Sequence, residues 1–382
     1  MLAPSNPAEL AEALRDAAAA GRTIALAGNS TKRHMAGPVE PADVALTTLS
    51  LRDVLEYEPR DLTISVTAGL SWCELTRLLA ENRQMVPLDP PFADGATVGG
   101  VISANCSGPR RRLYGTARDM VIGMTFATLE GKLVKSGGMV VKNVAGLDMA
   151  KLMIGSFGTL GAIAVVNFKL QPMPELERSF LLPFDSLAAA MAARNVILKG
   201  PLQPAAIDLL NPAAARTLGN SSWLLALRAG GNADAVQRYE RDFAHFPDGQ
   251  AFEDEGHQTL WRRVENFTPL FLAAHEDGAV VRASCTLKDV EPVMQSFPGP
   301  AVARAGSGVC YGYFERAQAA AEWLSSVPRA ICKAVIEFAP EGSRRTCDLW
   351  PAPGGDFEIM QRVKHLFDPR NLLNRGRLYR LI

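Results

Sequence analysis

The residues best suited to chemistry in this sequence are glycines and small polar residues, grouped in stretches that could hold a ligand through the backbone. The longest stretch, residues 87–108, combines three prolines and four glycines with valine and isoleucine of the kind that packs inside a protein. Glycine allows a backbone to approach a ligand at distances that a Cβ would block. Such a wall suits a flat or phosphorylated ligand read by main-chain N–H and C=O groups. A tight turn entering a helix of small residues is the alternative interpretation.

A second candidate is the small polar loop at residues 28–37, which follows a predicted strand over residues 23–27. Successive N–H groups of residues 28–31, helped by the Ser30 and Thr31 hydroxyls, could hold a pyrophosphate. A polar hairpin-type loop explains this segment equally well. A third glycine cluster, residues 155–161, precedes a strand predicted over residues 163–170.

Composition limits the classes of protein to consider. The chain has 382 residues, 48% of them hydrophobic and 21% charged, which predicts a globular protein of two or three domains. Its 40 basic and 40 acidic residues balance, so nothing indicates binding to nucleic acid or to an anionic membrane surface. The six cysteines form no C-x-x-C pair, which is poor spacing for zinc, an iron–sulfur cluster or a disulfide framework. The sequence has no basic leader and no apolar run of bilayer length, which predicts a cytoplasmic protein.

The elements that position these stretches can be predicted from periodicity and capping signals. A helix should begin at Pro7 with Asn6 as its cap and end at Gly21. Ser71 and Glu74 are spaced as a capping box for a second helix. Further predicted elements are a strand over residues 62–68, a hairpin over residues 119–138, a helix after residue 149 and a helix over residues 360–366.

Two further motifs have plainer interpretations. The three arginines at residues 110–112 predict a solvated loop, with a partner or phosphate contact as the alternative. Residues 303–312 imitate a dinucleotide fingerprint, but the third glycine is one place late and no acidic residue ends a following strand. We therefore reject a Rossmann site there.

Five segments, taken in order, resemble the FAD-binding family of vanillyl-alcohol oxidase and p-cresol methylhydroxylase. They are residues 28–37, 97–100, 142–148, 155–161 and 368–376. The resemblance implies an α+β fold with a two-subdomain (PCMH-type) FAD-binding domain over residues 1–175, a cap domain over residues 176–352, and a segment over residues 353–382 that returns to the flavin domain. Within the family, the chain is most similar to the smaller flavin-binding subunits of bacterial glycolate oxidases.

The resemblance also implies which residues contact FAD. The predicted set lies in the loop, the wall, the third glycine cluster and the tail, and comprises Gly28, Asn29, Ser30, Thr31, Lys32, Pro90, Thr97, Gly99, Gly100, Ser103, Asn105, Gly108, Gly158, Thr159, Ile163 and Asn374. Flavin performs the electron chemistry and the protein tunes it, so no catalytic residue is assigned. Some relatives attach flavin through a histidine in the loop, but His34 lies three residues past the turn, and Cys106 is expected to be a small packed residue. Non-covalent FAD is expected.

The same resemblance implies partners and a limit on activity. Glycolate oxidase subunits of this kind assemble with a larger flavoprotein and an iron–sulfur protein, and any membrane association would be made through those partners. Hydroxy-acid dehydrogenases of the family carry metal-binding histidines in the cap, where this chain has Arg304 and Tyr311. Neither replaces an imidazole as a ligand, so no metal is expected at this site. Arg304 could instead pair with a substrate carboxylate. A self-sufficient FAD-dependent dehydrogenase or oxidase and a flavin-fold scaffold without catalysis are the alternatives.

Overall fold

The computed structural model describes residues 1–139, 147–246 and 248–382. The chain divides into two compact units. Unit 1 comprises Met1–Cys106, Thr116–Met173 and Ala352–Ile382, and unit 2 comprises Ser107–Gly115 and Pro174–Pro351. The short segment Ser107–Gly115, which the sequence placed with the flavin domain, therefore belongs to unit 2. Most of the predicted segment 142–148 lies outside the described residues.

The elements up to residue 172 alternate short helices with strands. The strands are β1 (Ile24–Ala27), β2 (Val44–Thr47), β3 (Val54–Glu58), β4 (Thr63–Thr67), β5 (Gln84–Met85), β6 (Val121–Ala127), β7 (Leu133–Gly137), β8 (Ala162–Lys169) and β9 (Gln171–Pro172). The helices are α1 (Pro7–Ala19), α2 (Trp72–Glu81), α3 (Val98–Ser103), α4 (Arg111–Tyr114), α5 (Ala117–Met120) and α6 (Ala150–Met153). All of these except α4 belong to unit 1. The predicted strands and the predicted β6–β7 hairpin are confirmed.

Three sheets organise unit 1. Strands β1 and β2 pair in parallel, β3-β4-β8-β6-β7 form a five-stranded antiparallel sheet, and β5 pairs with β9. Helix α1 begins as predicted, because the Asn6 side chain accepts the Glu9 N–H at 3.0 Å, and its Leu10, Leu14 and Ala17 are buried. The apolar stripe of α1 thus packs with Ile24 of β1 in one core.

The predicted capping box of α2 is wrong. Ser71 precedes the helix, but its side chain makes no capping hydrogen bond. The backbone N–H of Trp72 donates instead to the carbonyl oxygen of Ala96, at 2.9 Å. A tertiary contact with the glycine-rich wall therefore satisfies the first of the N–H groups that this helix leaves without an intrahelical partner.

The C-terminal tail belongs to unit 1. Helix α15 (Phe357–Phe367) leads into residues that lie parallel to β1. The Ile24 N–H donates to the Leu372 carbonyl at 2.8 Å, and the Asn374 N–H donates to the Ile24 carbonyl at 3.0 Å. Strand β1 therefore lies between β2 and the returning tail.

Unit 2 is an α+β unit built on one eight-stranded sheet. Its strands are β10 (Leu176–Phe184), β11 (Ala206–Leu210), β12 (Trp223–Gly231), β13 (Gln250–Phe252), β14 (Ala279–Ser284), β15 (Ala301–Arg304), β16 (Val309–Phe314) and β17 (Lys333–Phe338), in the antiparallel order β13-β10-β12-β11-β15-β16-β14-β17. Its later helices are α7 (Leu187–Lys199), α8 (Pro212–Ala215), α9 (Ala233–Phe243), α10 (Asp254–Glu265), α11 (Phe267–Ala274), α12 (Val290–Ser296), α13 (Ala317–Ser326) and α14 (Glu341–Thr346). The predicted α+β class is confirmed.

The two faces of the unit 2 sheet differ in chemistry. Side chains alternate between faces along a strand, and directly paired residues share a face. Ile207, Ala303, Cys310 and Ile336 share one face, which carries the apolar core. The opposite face, called the polar face below, carries the side chains Asp208, Arg282, Arg304, Tyr311 and Glu337. Within the described parts of both units, no helix is long and apolar enough to cross a bilayer.

Candidate functional site

A cleft of about 240 Å³ lies at the carboxyl end of β1 in unit 1, and a smaller cavity of about 50 Å³ shares part of its wall. The loop after β1, helix α3, the turn at Phe157 and the tail surround both spaces. Residues that line both are Leu26, Ala27, Gly28, Gly100, Ser103, Phe157 and Asn374. Residues distant in sequence thus meet at one concave site, which is typical of ligand sites.

The loop after β1 offers backbone donors to this cleft. Within the described residues, the N–H groups of Asn29, Ser30 and Thr31 donate to no protein acceptor. Ser30 has a φ of 56°, a conformation that a non-glycine residue rarely adopts. The Asn29 side chain holds the loop in place by donating to the Gly95 carbonyl at 2.9 Å. Consecutive N–H groups around a left-handed residue form a concave anion-binding nest.

Three of the glycines that line the two cavities do so for different structural reasons: Gly28 in the loop after β1, and Gly99 and Gly100 in helix α3 on the opposite wall. A Cβ on Gly28 would collide with the Thr97 hydroxyl oxygen, so the loop and α3 touch there. A Cβ on Gly99 would lie 2.8 Å from the Ala68 Cβ, which means that this glycine permits close packing of α3. A Cβ on Gly100 would meet only the Thr97 hydroxyl, at 3.1 Å, and would otherwise project into the cleft.

The tail closes the third side of the cleft through Asn374. Its Oδ1 accepts the Leu26 N–H at 2.7 Å, and its Nδ2 donates to the carbonyls of Leu26 at 3.1 Å and Phe157 at 2.8 Å. A Cβ on Gly158, whose φ is 69°, would lie 2.8 Å from the Asn374 Nδ2. One amide therefore joins β1, the third glycine cluster and the tail.

Arg377, which the sequence reasoning missed, holds the loop from the tail side. Its guanidinium donates to the carbonyls of Met35 and Gly37, both at 2.8 Å, and lies 5.3 Å from the centre of the Phe157 ring. Arg377 follows the predicted Asn374 turn by three residues, but its loop partners are about 340 positions away and no local pattern indicates them.

The charged side chains that line the cleft are predominantly cationic. Lys32, Arg33, Arg375 and Arg377 contribute four positive charges, against one carboxylate, Glu40. Lys32 is only 7% exposed, and its Nζ donates to the Thr31 hydroxyl at 3.2 Å. Burial lowers the pKa of Lys32, and the nearby Cys106 opposes that shift. The cleft is therefore suited to an anionic ligand.

A buried ion pair supports the tail behind the cleft. The Lys364 Nζ donates to the Thr159 carbonyl at 2.8 Å, to Asp368 at 2.7 Å and to the Leu373 carbonyl at 3.1 Å. Asp368 also accepts the backbone N–H groups of Leu372 and Leu373. Thr159, predicted as a ligand contact, is 1% exposed and positions this pair through its carbonyl.

The structure brings twelve of the sixteen predicted contact residues to the two cavities: Gly28, Asn29, Ser30, Thr31, Lys32, Thr97, Gly99, Gly100, Ser103, Gly158, Ile163 and Asn374. It places the other four elsewhere. Pro90 and Thr159 are buried, Asn105 is exposed beside Gly155 with a φ of 51°, and Gly108 belongs to unit 2. All sixteen stay predictions as ligand contacts.

The arginine run at residues 110–112 is not the solvated loop that the sequence predicted. Arg111 and Arg112 lie on α4 and are half-buried in unit 2. The Arg112 guanidinium donates to the Pro204 carbonyl and to the Gln203 side chain, both at 2.6 Å, and a Cβ on Gly306 would collide with the Arg112 side chain. Contacts with residues about 90 and 190 positions away therefore bury this run.

Arg304, which could pair with a substrate carboxylate, already has a partner within unit 2. Its guanidinium forms a buried ion pair with Asp208 and lies 5.7 Å from the centre of the Tyr311 ring. The carboxylate that Arg304 binds is thus the protein's own. Across the described ranges, no group of three or more His, Cys, Asp or Glu side chains is arranged to hold a metal ion.

Comparisons with known proteins match the N-terminal third of the chain and a C-terminal segment of unit 1. Residues 1–137 match the family model of an FAD binding domain, and residues 352–378 match that of the C-terminal domain of FAD linked oxidases. Glycolate oxidase subunit GlcE of Escherichia coli is 33% identical over 186 residues, which cover 48% of this chain and 51% of that protein. Glycolate oxidase subunit GlcD of Bacillus subtilis is 30% identical over 213 residues, which cover 55% of this chain and 45% of that protein. The chain matches only about half the length of these curated relatives.

A solved structure matches nearly the whole fold. The structure of an alkyldihydroxyacetonephosphate synthase superposes with a TM-score of 0.73 at 16% identity, covering 97% of this chain and 75% of that one. The cleft described above fits FAD, because its unpartnered N–H groups and its excess of cations suit a diphosphate and Gly100 leaves room beside the wall. The chain therefore carries an FAD binding domain of the kind found in FAD linked oxidases.

Proposed function

We propose that the chain is the FAD-binding subunit of a 2-hydroxy-acid oxidase of the glycolate oxidase type, acting with a larger FAD-binding catalytic subunit and an iron–sulfur subunit. Bound FAD would supply two-electron oxidation and electron transfer. The proposal includes a cytoplasmic location, with any membrane contact made through the partners.

One observation carries the proposal: the cationic cleft at β1 combines an anion nest with a wall where Gly100 leaves room for a ligand. Asn29, Ser30 and Thr31 would bind the diphosphate through their N–H groups, and Lys32 would add a charge beside them. Asn374 and Arg377 would hold the loop in that conformation. These residues bind and orient the cofactor.

The sequence of unit 2 supports the proposal that the larger partner subunit, and not this chain, oxidises the substrate. On the polar face, Arg304 and Tyr311 stand where hydroxy-acid dehydrogenases that this chain resembles carry imidazoles, and Arg304 is already paired with Asp208. Burial raises the pKa of Tyr311 to about 12, so its phenol stays protonated at neutral pH and cannot serve as a general base.

Purification of the chain alone and together with its partners tests the proposal. We expect the isolated chain to be yellow, with stoichiometric FAD that glycolate or D-lactate does not bleach under anaerobic conditions, and we expect the flavoprotein and iron–sulfur partners to co-purify with it. Rapid bleaching of the isolated chain would establish a self-sufficient dehydrogenase instead. A colourless chain that still assembles would establish a scaffold.

Lys32→Gln is expected to weaken FAD binding about tenfold or more, because a charge-assisted hydrogen bond to the diphosphate is lost. The effect should depend on pH. The Lys32 cation is present below its pKa, which burial places below the ordinary 10.5, and it disappears as pH rises through that value. The FAD affinity of wild type should therefore fall as pH rises through the Lys32 pKa. The FAD affinity of Lys32→Gln should show no fall from this cause.

Fluorescence titration of apoprotein with FAD between pH 6 and 10 measures this effect. Arg22→Gln, on the exposed surface before β1, is the matched control for loss of one positive charge. Equal affinities and equal pH profiles for Lys32→Gln and wild type would remove Lys32 from the site.

A further inference from the structure

Three cysteines lie together at one end of the unit 2 sheet, where β14 runs between β16 and β17. Cys285 directly follows β14, and Cys332 directly precedes β17, at the register position opposite Cys285. Cys310 lies on β16 and pairs with Ala283, two residues before Cys285. Residues two apart on a strand share a face, so all three thiols belong to the face that carries the apolar core.

The backbone holds Cys285 close to the strand that carries Cys310. The Cys285 N–H donates to the Gly308 carbonyl at 2.8 Å, which extends the pairing of β14 with β16 by one residue. The Cys285 thiol donates to the same carbonyl at 3.6 Å. A Cβ on Gly308 would collide with the Cys285 carbonyl oxygen, so the two strands touch here. Cys310, two residues after Gly308, is therefore the diagonal cross-strand neighbour of Cys285.

The three thiols differ in exposure and in acidity. Cys310 is fully buried and Cys332 is 5% exposed, whereas Cys285 is partly exposed and packs against the core from its rim. A hydrogen bond from the Cys310 thiol lowers the pKa of Cys285, against burial and the Asp289 carboxylate, and the same bond raises the pKa of Cys310. Burial raises the pKa of Cys332 to about 11. Cys285 is thus the accessible thiol of the three and the one that favours a thiolate.

A buried arginine brings a positive charge to the same end of the sheet. Arg194 of α7 is 1% exposed and forms no ion pair within the described ranges. Its guanidinium donates to the carbonyls of Leu287 at 2.9 Å and Ala305 at 3.1 Å, and its Nε has no hydrogen-bond partner among the described residues. Leu287 lies two residues after Cys285. A buried cation without a carboxylate favours a thiolate as its counter-charge.

We propose that Cys285 is an oxidation site of unit 2, at which a hydroperoxide oxidises the Cys285 thiolate and the Cys310 thiol then completes a disulfide. The thiolate sulfur attacks one peroxide oxygen and the O–O bond breaks. An alkoxide or hydroxide leaves, and the sulfur, which has given two electrons to the peroxide, becomes a sulfenic acid.

The second step joins the two strands. The Cys310 sulfur attacks the Cys285 sulfur, an S–S bond forms and the S–O bond breaks, and the departing hydroxide takes the Cys310 proton to form water. Cys310 is the partner because its hydrogen bond directs its thiol to the Cys285 sulfur. The inference is independent of the proposed function, since no step uses the flavin or another subunit.

Alkylation of the FAD-loaded wild type with iodoacetamide at neutral pH, followed by peptide mass spectrometry, tests which thiol is reactive. Cys73 is the internal comparison, because it is exposed while partial burial and the Asp94 carboxylate raise its pKa. Cys285 should react severalfold faster than Cys73 although it is less exposed, since the thiolate is the nucleophile. Faster alkylation of Cys73 would overturn the proposal.

Brief treatment with hydrogen peroxide tests the disulfide. Wild type should yield one linked peptide that contains Cys285 and Cys310 and that dithiothreitol separates. Cys310→Ser should leave Cys285 as a sulfenic acid that dimedone traps. Cys347→Ser, which removes a partly exposed cysteine after α14, is the matched control and should form the disulfide as wild type does. A reduced Cys285 in peroxide-treated wild type, or a Cys285–Cys332 link, would contradict the proposal, and neither result depends on the folding of a variant.

Discussion

A variant with Gly100 replaced by valine is expected to fold and to lose most of its FAD affinity. The valine side chain would leave the Thr97 hydroxyl 3.1 Å from its Cβ and would extend into the cleft that the flavin requires. Overpacking of a close-fitting site costs about 1–3 kcal/mol, which corresponds to about 5- to 150-fold in affinity. FAD content after gel filtration and a fluorescence titration of the apoprotein measure the loss.

Gly99 and Gly342 serve as contrasts for this variant. A Cβ on Gly99 would collide with Ala68, so Gly99→Val should lower the stability of unit 1 itself. A Cβ on Gly342 in α14 would meet nothing within 4 Å, so Gly342→Val should leave FAD binding unchanged. Stoichiometric FAD in a folded Gly100→Val protein would show that the ligand does not pass this wall.

Lys364→Met is expected to lower the free energy of unfolding by about 3–5 kcal/mol, because removal of one partner leaves the other buried charge uncompensated. Lys364 is 5% exposed and Asp368 is 2% exposed. The variant would also leave the Thr159 and Leu373 carbonyls without their donor. Urea denaturation followed by circular dichroism measures the change.

The exposed pair Lys151–Asp148, with a 2.8 Å separation, is the control for Lys364→Met. Surface pairs of this kind contribute about 0–1 kcal/mol, so Lys151→Met should have a small effect. The double variant Lys364→Met with Asp368→Asn removes the uncompensated charge and should recover part of the stability. A loss in Lys364→Met no larger than that in Lys151→Met would contradict a structural role for the buried pair.

Local patterns predicted most of the fold. The Asn6 cap, the strand before residue 28, the β6–β7 hairpin and the strand after residue 161 all depend on residues adjacent in sequence, and all are confirmed. The predicted capping box at Ser71 was wrong, because the Ser71 side chain makes no capping hydrogen bond. The first N–H of this helix, that of Trp72, donates instead to the Ala96 carbonyl, a contact that no local pattern indicates.

The sequence predicted only those site residues whose role is visible from their neighbours in the chain. Glycines and the Asn374 turn are visible in a sequence because they mark unusual backbone, and these residues do line the cleft. Arg377 and Lys364 donate to carbonyls far along the chain, and Arg111 and Arg112 pack half-buried within unit 2. Charged residues have no periodicity that reveals such partners, so these roles appeared only in the structure.

The contact between β1 and the tail has a consequence for biosynthesis. Leu26 and Asn374 are separated by 348 positions, and all of Pro174–Pro351 is translated between them. Closing so long a loop is entropically costly and slow, whereas most contacts of unit 2 are formed within one continuous segment. During translation, unit 2 can therefore fold while the edge of β1 still lacks its partner, and the cleft gains its third side only after residues 372–377 have left the ribosome.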